Sequence, residues 1–260
     1  WAKRRNDKAE AKKWAELALK ANPKDPQVRD LMGKRYQEEG ENEKALEHYQ
    51  AILEIEPHNY VWRKNLGFVY LEQNKIKEAE QEFQRALMDA PKLADAYRGL
   101  GLVALERKEY EQAEHYFAMA SQFKKDDLSS VLGKIRALIL QDENRKAMDE
   151  LQSIIKKHPR FTLPRRHLGY LLFEAKAYAD ARFQFSNWKA RGKEEEAERS
   201  FLIGMCYDKL GDQKRAMDFF KQAVMAGHTL HPEILRKYRI VLPKRIIGSR
   251  PGKRMSPKAP

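Results

Sequence analysis

Seven histidines, one cysteine and a few carboxylate runs are the residues whose chemistry could make an enzyme of this 260-residue chain. None of the histidines (His48, His58, His115, His158, His167, His228 and His231) stands in a His-Glu-x-x-His arrangement. His228 and His231 are three apart, but Gly227 and Pro232 beside them break helical register, and two ligands do not complete a metal site. Cys206 lies between Met205 and Tyr207 with no base nearby in sequence, which reads as a packed thiol and not a nucleophile. A single cysteine also excludes a disulfide framework or a cysteine-rich metal cluster, and it fits a reducing compartment. The stretch Gly248-Ser-Arg-Pro-Gly252-Lys253 is one residue short of a phosphate loop, lacks the final Ser or Thr, and carries Pro251 where amides are needed. Glu194-Glu195-Glu196 suits a solvated helix start, where carboxylates meet the positive end of the dipole. The sequence therefore predicts no catalytic, cofactor or metal site.

Charge is the stronger signal, through its location. The chain has a net charge of +13, of which residues 1–13 hold +4 and residues 231–260 hold +8, so the long middle is left with +1. At the front the cations are Lys3, Arg4, Arg5, Lys8, Lys12 and Lys13. At the back they are Arg236, Lys237, Arg239, Lys244, Arg245, Arg250, Lys253, Arg254 and Lys258. At 42% hydrophobic and 34% charged, the chain is too apolar for disorder and too polar for a membrane bundle. No run approaches the roughly 18 apolar residues that span a bilayer.

The elements that must carry these residues repeat every 34 positions. Residues 60–93 give Leu66-Gly67, Tyr70, Ala79, Phe83, Ala86 and Pro91. One period earlier, residues 26–59 give Met32-Gly33, Tyr36, Ala45, Tyr49, Ile52 and Pro57. Later repeats are 94–127 (Leu100-Gly101, Ala113, Phe117, Ala120), 128–161 (Leu138, Ala147, Leu151, Ile154, Pro159), 162–195 (Leu168-Gly169, Ala181, Phe185, Trp188) and, after one inserted residue, 197–230 (Ile203-Gly204, Ala216, Phe220, Ala223). Residues 8–25 match only a second helix. Each repeat reads as two helical windows separated by a break at Gly40, Asn74, Lys108, Asp142, Lys176 or Gly211. The glycine of each first helix is expected to admit its partner helix closely, facing the small alanine of the second helix. Gly133 stands two places early, which predicts different packing there. Phe83, Phe117, Phe185, Phe219 and Phe220 are expected in the core.

This recurring set of residue types at one register resembles the tetratricopeptide repeat family over about 6.5 repeats. The resemblance implies an all-α fold: a right-handed superhelical solenoid of stacked antiparallel helix pairs, with its concave face lined by first helices. The expected organisation is a basic segment 1–7, an array over 8–230, and a capping segment with a basic tail over 231–260. Counting the first residue of each repeat as place 1, the family's concave face comes from places 2, 5, 9 and 12. Carried onto this sequence, those places hold the apolar residues Phe68, Leu71, Leu102, Leu105, Ile139, Tyr170, Phe173, Phe201 and Met205, and the cations Lys34, Lys64, Arg98, Arg136 and Arg166. Such a surface suits an amphipathic or acidic protein segment. Chaperone-tail binding by a lysine–asparagine clamp is not expected, since place 9 holds Lys34, Phe68, Leu102, Arg136, Tyr170 and Met205, and Asn65 alone echoes the clamp.

The function expected is thus a scaffold that grips a partner segment within a larger assembly. The alternative is a peripheral tether, through the basic ends, to anionic membrane or nucleic acid. Tyr238 is the one aromatic in the tail, so a base-stacking platform is unsupported and nucleic acid ranks below lipid. Trp1-Ala2-Lys3-Arg4-Arg5 has the pattern of a flank beside a membrane helix. The expected location is cytoplasmic, with membrane association through a segment preceding Trp1 left open.

Overall fold

The 34-residue period becomes helix pairs because each repeat carries its own start and stop signals. The structure, a computed structural model, describes residues 2–125 and 127–240, and of residues 2–9, 11 and 12 the helical backbone only. Two compact units divide the chain, Trp1–Asp142 and Glu143–Pro260. The first holds α1 (Ala2–Ala21), α2 (Pro26–Glu39), α3 (Asn42–Ile55), α4 (Tyr60–Glu72), α5 (Ile76–Asp89), α6 (Ala94–Glu106), α7 (Tyr110–Phe123) and α8 (Leu128–Leu140). The second holds α9 (Asn144–Lys157), α10 (Leu163–Glu174), α11 (Tyr178–Asn187), α12 (Gly192–Lys209), α13 (Gln213–Met225) and the short α14 (Pro232–Lys237). Helix is the only regular structure among the described residues, and no helix there is long and apolar enough to cross a membrane.

First helices begin on side-chain caps where the sequence supplies them. Asp25 accepts from the backbone N–H groups of Gln27 and Val28, Asn59 from Val61, and Asp127 from Ser130, covering donors a helix start leaves unpaired. Every break residue between the two helices of a repeat is left-handed: Gly40 (φ 77°), Asn74 (58°), Lys108 (62°), Asp142 (62°), Lys176 (61°) and Gly211 (83°). The left-handed turn lets the next backbone N–H reach back to the helix end, as Lys75 does to the Tyr70 carbonyl (2.9 Å) and Glu109 to that of Ala104 (2.9 Å). Between repeats, the place-4 side chain hooks back onto a proline carbonyl six residues earlier. Arg29 donates to Pro23 O (2.7 Å), Arg63 to Pro57 O, and Tyr97 to Pro91 O (3.2 Å).

Within the first unit, α2 packs on α3, α4 on α5 and α6 on α7, and each second helix also packs on the first helix that follows. The core is built around one aromatic per pair. Tyr49, Phe83 and Phe117 are fully buried at the same register, as are Phe185 and Phe220 in the second unit. The glycines face these rings most closely, and Gly204 also meets the carbonyl of Ala216, the alanine four places before its ring. A Cβ on Gly67 would stand 2.7 Å from Phe83, one on Gly101 2.9 Å from Phe117, and one on Gly169 2.5 Å from Phe185. Gly133 is no displaced copy of this glycine. It occupies place 6, as Gly99 does, and is the opposite wall: a Cβ on Gly99 would lie 2.4 Å from Phe83, and one on Gly133 2.5 Å from Phe117. Phe83 and Phe117 therefore each lie in a slot between glycines of two successive first helices. Phe219 is only half-buried and stacks on Tyr207, with ring centroids 5.6 Å apart.

In the second unit the chain after α13 closes over the last pair. Leu230, Tyr238 and Ile240 join Ala216, Phe220 and Val224 in one apolar cluster, with Ile234 and Leu235 packed at its edge. Val241 and Leu242, within the expected capping segment and tail over 231–260, lie outside the described residues.

Candidate partner-binding face

The repeat register sets places 2, 5, 9 and 12 on one side of each first helix, and the structure shows what surrounds them. In the first unit Lys34, on α2, is exposed and pairs with Asp30 at 2.6 Å. Asp30 also accepts from the Asn65 amide at 3.4 Å. Phe68, on α4, is half-buried, meets Phe83 edge-on with centroids 4.9 Å apart, and carries the Arg98 guanidinium over its ring at 4.7 Å. Leu71 and Leu102 are half-buried against the core, whereas Leu105 is buried and offers little to a partner. Arg136 and Ile139 lie on α8, the first exposed and the second half-buried.

Lys64 and Arg98 converge on one carboxylate. Asp95, in the first turn of α6, lies 3.5 Å from Lys64, 3.7 Å from Arg98 and 3.8 Å from Lys124 at the end of α7.

In the second unit Arg166 and Tyr170, both on α10, meet Glu198 of α12. Arg166 donates to Glu198 from Nε (3.2 Å) and Nη2 (2.7 Å), and the Tyr170 hydroxyl donates to the same oxygen at 2.6 Å. Arg166 also lies over the Trp188 ring, 5.2 Å from its centroid. Burial and the hydrogen bond to Glu198 hold the Tyr170 hydroxyl above its ordinary pKa. Phe173 is half-buried and packs edge-on to Tyr178 at 5.2 Å. Phe201 stacks on His228 at 4.5 Å, and burial pulls that imidazole below its ordinary pKa. Burial also lowers His167. Asp208 accepts from Lys237 (2.5 Å) and from the Tyr238 hydroxyl, which ties the closing segment to α12. Of the basic tail, Arg236, Lys237 and Arg239 are exposed, and Lys244, Arg245, Arg250, Lys253 and Arg254 lie outside the described residues.

The residues that sequence reasoning missed are mostly acids. Asp95 and Glu198 both stand at place 2, within the register already being counted, and each reaches back to the place-5 cation of the preceding repeat. Lys124, at place 31, had no such signal.

The residues singled out for chemistry have structural surroundings. Cys206 is buried, and burial pushes its thiol up to about 12. His231 caps α14 by accepting from the Glu233 N–H at 3.4 Å. Among the described residues no three His, Cys, Asp or Glu side chains are placed to hold a metal ion.

Known proteins place the register in a family. Residues 36–103 match one family model described as tetratricopeptide repeat, and residues 195–226 match another. The chain carries tetratricopeptide repeats. These repeats share their fold with a tetratricopeptide repeat protein from Parabacteroides merdae (18% identity, TM-score 0.63, covering 90% of this chain and 91% of that one). They share it also with the C-terminal part of a tetratricopeptide repeat-containing protein from Cytophaga hutchinsonii (14% identity, TM-score 0.68, 90% and 95% covered). A third similar structure is YrrB, described as a tetratricopeptide repeat protein with an unusual peptide-binding site (18% identity, TM-score 0.58, 74% and 98% covered). No curated protein matches the sequence.

Proposed function

We propose that the tetratricopeptide repeats form a protein-binding scaffold whose first-helix face grips an amphipathic or acidic segment of a partner. The reading rests chiefly on one observation. In the first compact unit the half-buried Phe68, Leu71 and Leu102 lie in register with Lys64, Arg98 and Arg136, and among the described residues Asp95 is the acid that meets Lys64 and Arg98. Apolar contacts of this kind supply affinity, and unsatisfied cations set register and capture rate. YrrB, of similar fold, is described as binding peptide, which fits the same use.

Affinity purification from the native cell, comparing the unaltered chain with Lys64→Glu plus Arg98→Glu, tests this. Selective loss of the recovered partners is expected. Undiminished recovery from a variant of unchanged helicity would count against the face.

One observation favours a second role for the front end as a tether to anionic membrane. Trp14 (66% exposed) and Leu17 (45%) stand free on α1, a helix with seven cations and three acids. An aromatic and a leucine beside cations suit a lipid interface. Flotation with phosphatidylserine vesicles at low and moderate salt, with and without Trp14→Ser plus Leu17→Ser, tests this role.

A further inference from the structure

Asp95 is asked to neutralise too much. Its three cations stand at 3.5, 3.7 and 3.8 Å, whereas charge-assisted bonds normally close to about 2.7–2.9 Å. The same structure reaches that closeness elsewhere, at 2.6 Å for Lys34 with Asp30, 2.7 Å for Arg166 with Glu198, and 2.9 and 2.7 Å for Arg63 and Arg85 on the one carboxylate of Glu82. Among the described residues Lys64, Arg98 and Lys124 thus share a single carboxylate at arm's length, which leaves these three cations with a surplus of two positive charges over Asp95. The Lys64 and Arg98 side chains are only 19% and 29% exposed, so water screens that surplus incompletely. Arg98 is held in place by the Phe68 ring beneath it. The start of α6 adds to the field, because its N-cap, Leu93, has no side chain to cover the free amides.

We propose that this cluster is an anion-receiving site, taking a compact oxyanion of two or more charges from the partner segment. A phosphoryl group, or two carboxylates side by side, has the charge and the oxygens to satisfy all three cations. A lone terminal carboxylate does not, since Phe68 and Leu102 occupy the places where an amide would have to help hold it. The proposal deepens the scaffold reading and rests on it, since Lys64 and Arg98 are cations of that face. Asp95 acts here as an internal stand-in that competes with the incoming anion.

The test is a titration of the full chain with pyrophosphate, and separately with citrate, at ionic strength held constant with sodium chloride. The side-chain NMR signals of Arg98 and of the lysine ammonium groups report binding. Saturable shifts are expected, weakened about ten-fold or more by Lys64→Gln plus Lys124→Gln. Asp95→Asn is expected to tighten binding by roughly five-fold, because the competitor is gone. Lys44→Gln, which removes a cation of α3 outside this face that is already matched by Glu41, leaves the titration unchanged. Saturation by pyrophosphate alone supports the site with a phosphorylated side chain as its source, and saturation by citrate as well supports it with paired carboxylates. No saturation with either anion, or an Asp95→Asn variant that binds no tighter, overturns the site. A failed titration beside partner capture that still depends on Lys64 and Arg98 removes the anion site alone. A successful titration beside capture indifferent to them removes the scaffold face alone.

Discussion

In the first compact unit one carboxylate, Asp95, is spread over three cations, whereas in the second Glu198 serves Arg166 and Tyr170, and Asp208 serves Lys237 and Tyr238. Asp95 and Glu198 stand on the same 34-residue register and make the same reach from place 2 back to place 5 of the preceding repeat. The difference teaches that the repeat constrains where charges stand and leaves free how completely they are neutralised. What the two units share is the buried aromatic of each pair. What separates them is place 6 of the following repeat, a glycine against Phe83 and Phe117 in the first unit and Leu202 in the cluster of Phe185 in the second, and the balance of charge on the face.

The largest effects are expected where the units agree. Phe83→Ala and Phe185→Ala should each destabilise the chain by about 3–5 kcal/mol in urea unfolding, since each empties a fully buried ring site. The place-6 wall should then separate them. Adding a methyl with Gly99→Ala should cost about 1–3 kcal/mol, because its Cβ would stand 2.4 Å from Phe83. Removing bulk with Leu202→Ala should cost about 2–5 kcal/mol through the gap left in its cluster. Equal tolerance of both changes would break the comparison.

Smaller effects concern the charges. Glu198→Gln should cost about 1–2 kcal/mol, as it leaves Arg166 without its acid and weakens the acceptor for Tyr170. Asp95→Asn should cost less than about 1 kcal/mol, as its contacts are long and partly exposed. A cost at Asp95 equal to that at Glu198 would mean the first unit is as well neutralised as the second.

The smallest effect is a pH dependence. Burial holds His167 and His228 in the second unit below the ordinary value near 6.5, and His48 in the first unit likewise. A depressed histidine is neutral in the folded chain, and unfolding lets it bind a proton. Its stabilising share is therefore present above about pH 6.5 and drains away as pH falls toward the folded value. Melting midpoints taken between about pH 7.5 and about pH 5 should fall, and His167→Gln plus His228→Gln should flatten the slope more than His48→Gln does.

The helix pairs were legible in sequence because their signals are local. Five break residues stand 34 apart and the sixth, Gly211, one place later after the inserted residue, and all six are left-handed, including Lys108 and Lys176, where the side chain gives no hint. Contacts between successive repeats were harder to read. Gly99 carries no signal of its own in the sequence and Gly133 reads as a misplaced hairpin glycine, because each walls the ring of the repeat before its own. Apolar and cationic places on the candidate face were also legible from register. Their partners were not, since an ion pair depends on how two helices bring their side chains together. Arg98 and Arg166 stand at the same place, yet one shares its acid with two lysines and the other holds its own.

The glycine-walled slot has one more consequence. A phenyl ring lies in it between two flat backbone surfaces, so truncating Phe83 would leave a ring-shaped void that collapses poorly, since glycine walls have no side chains to lean inward. Dry apolar voids of about ring size, lined by aliphatic and aromatic side chains, take up benzene, and the same is expected of this one. A chain carrying Phe83→Ala would then be a scaffold whose cohesion is dialled by a small aromatic solute, restored when the solute is added and lost when it is dialysed away.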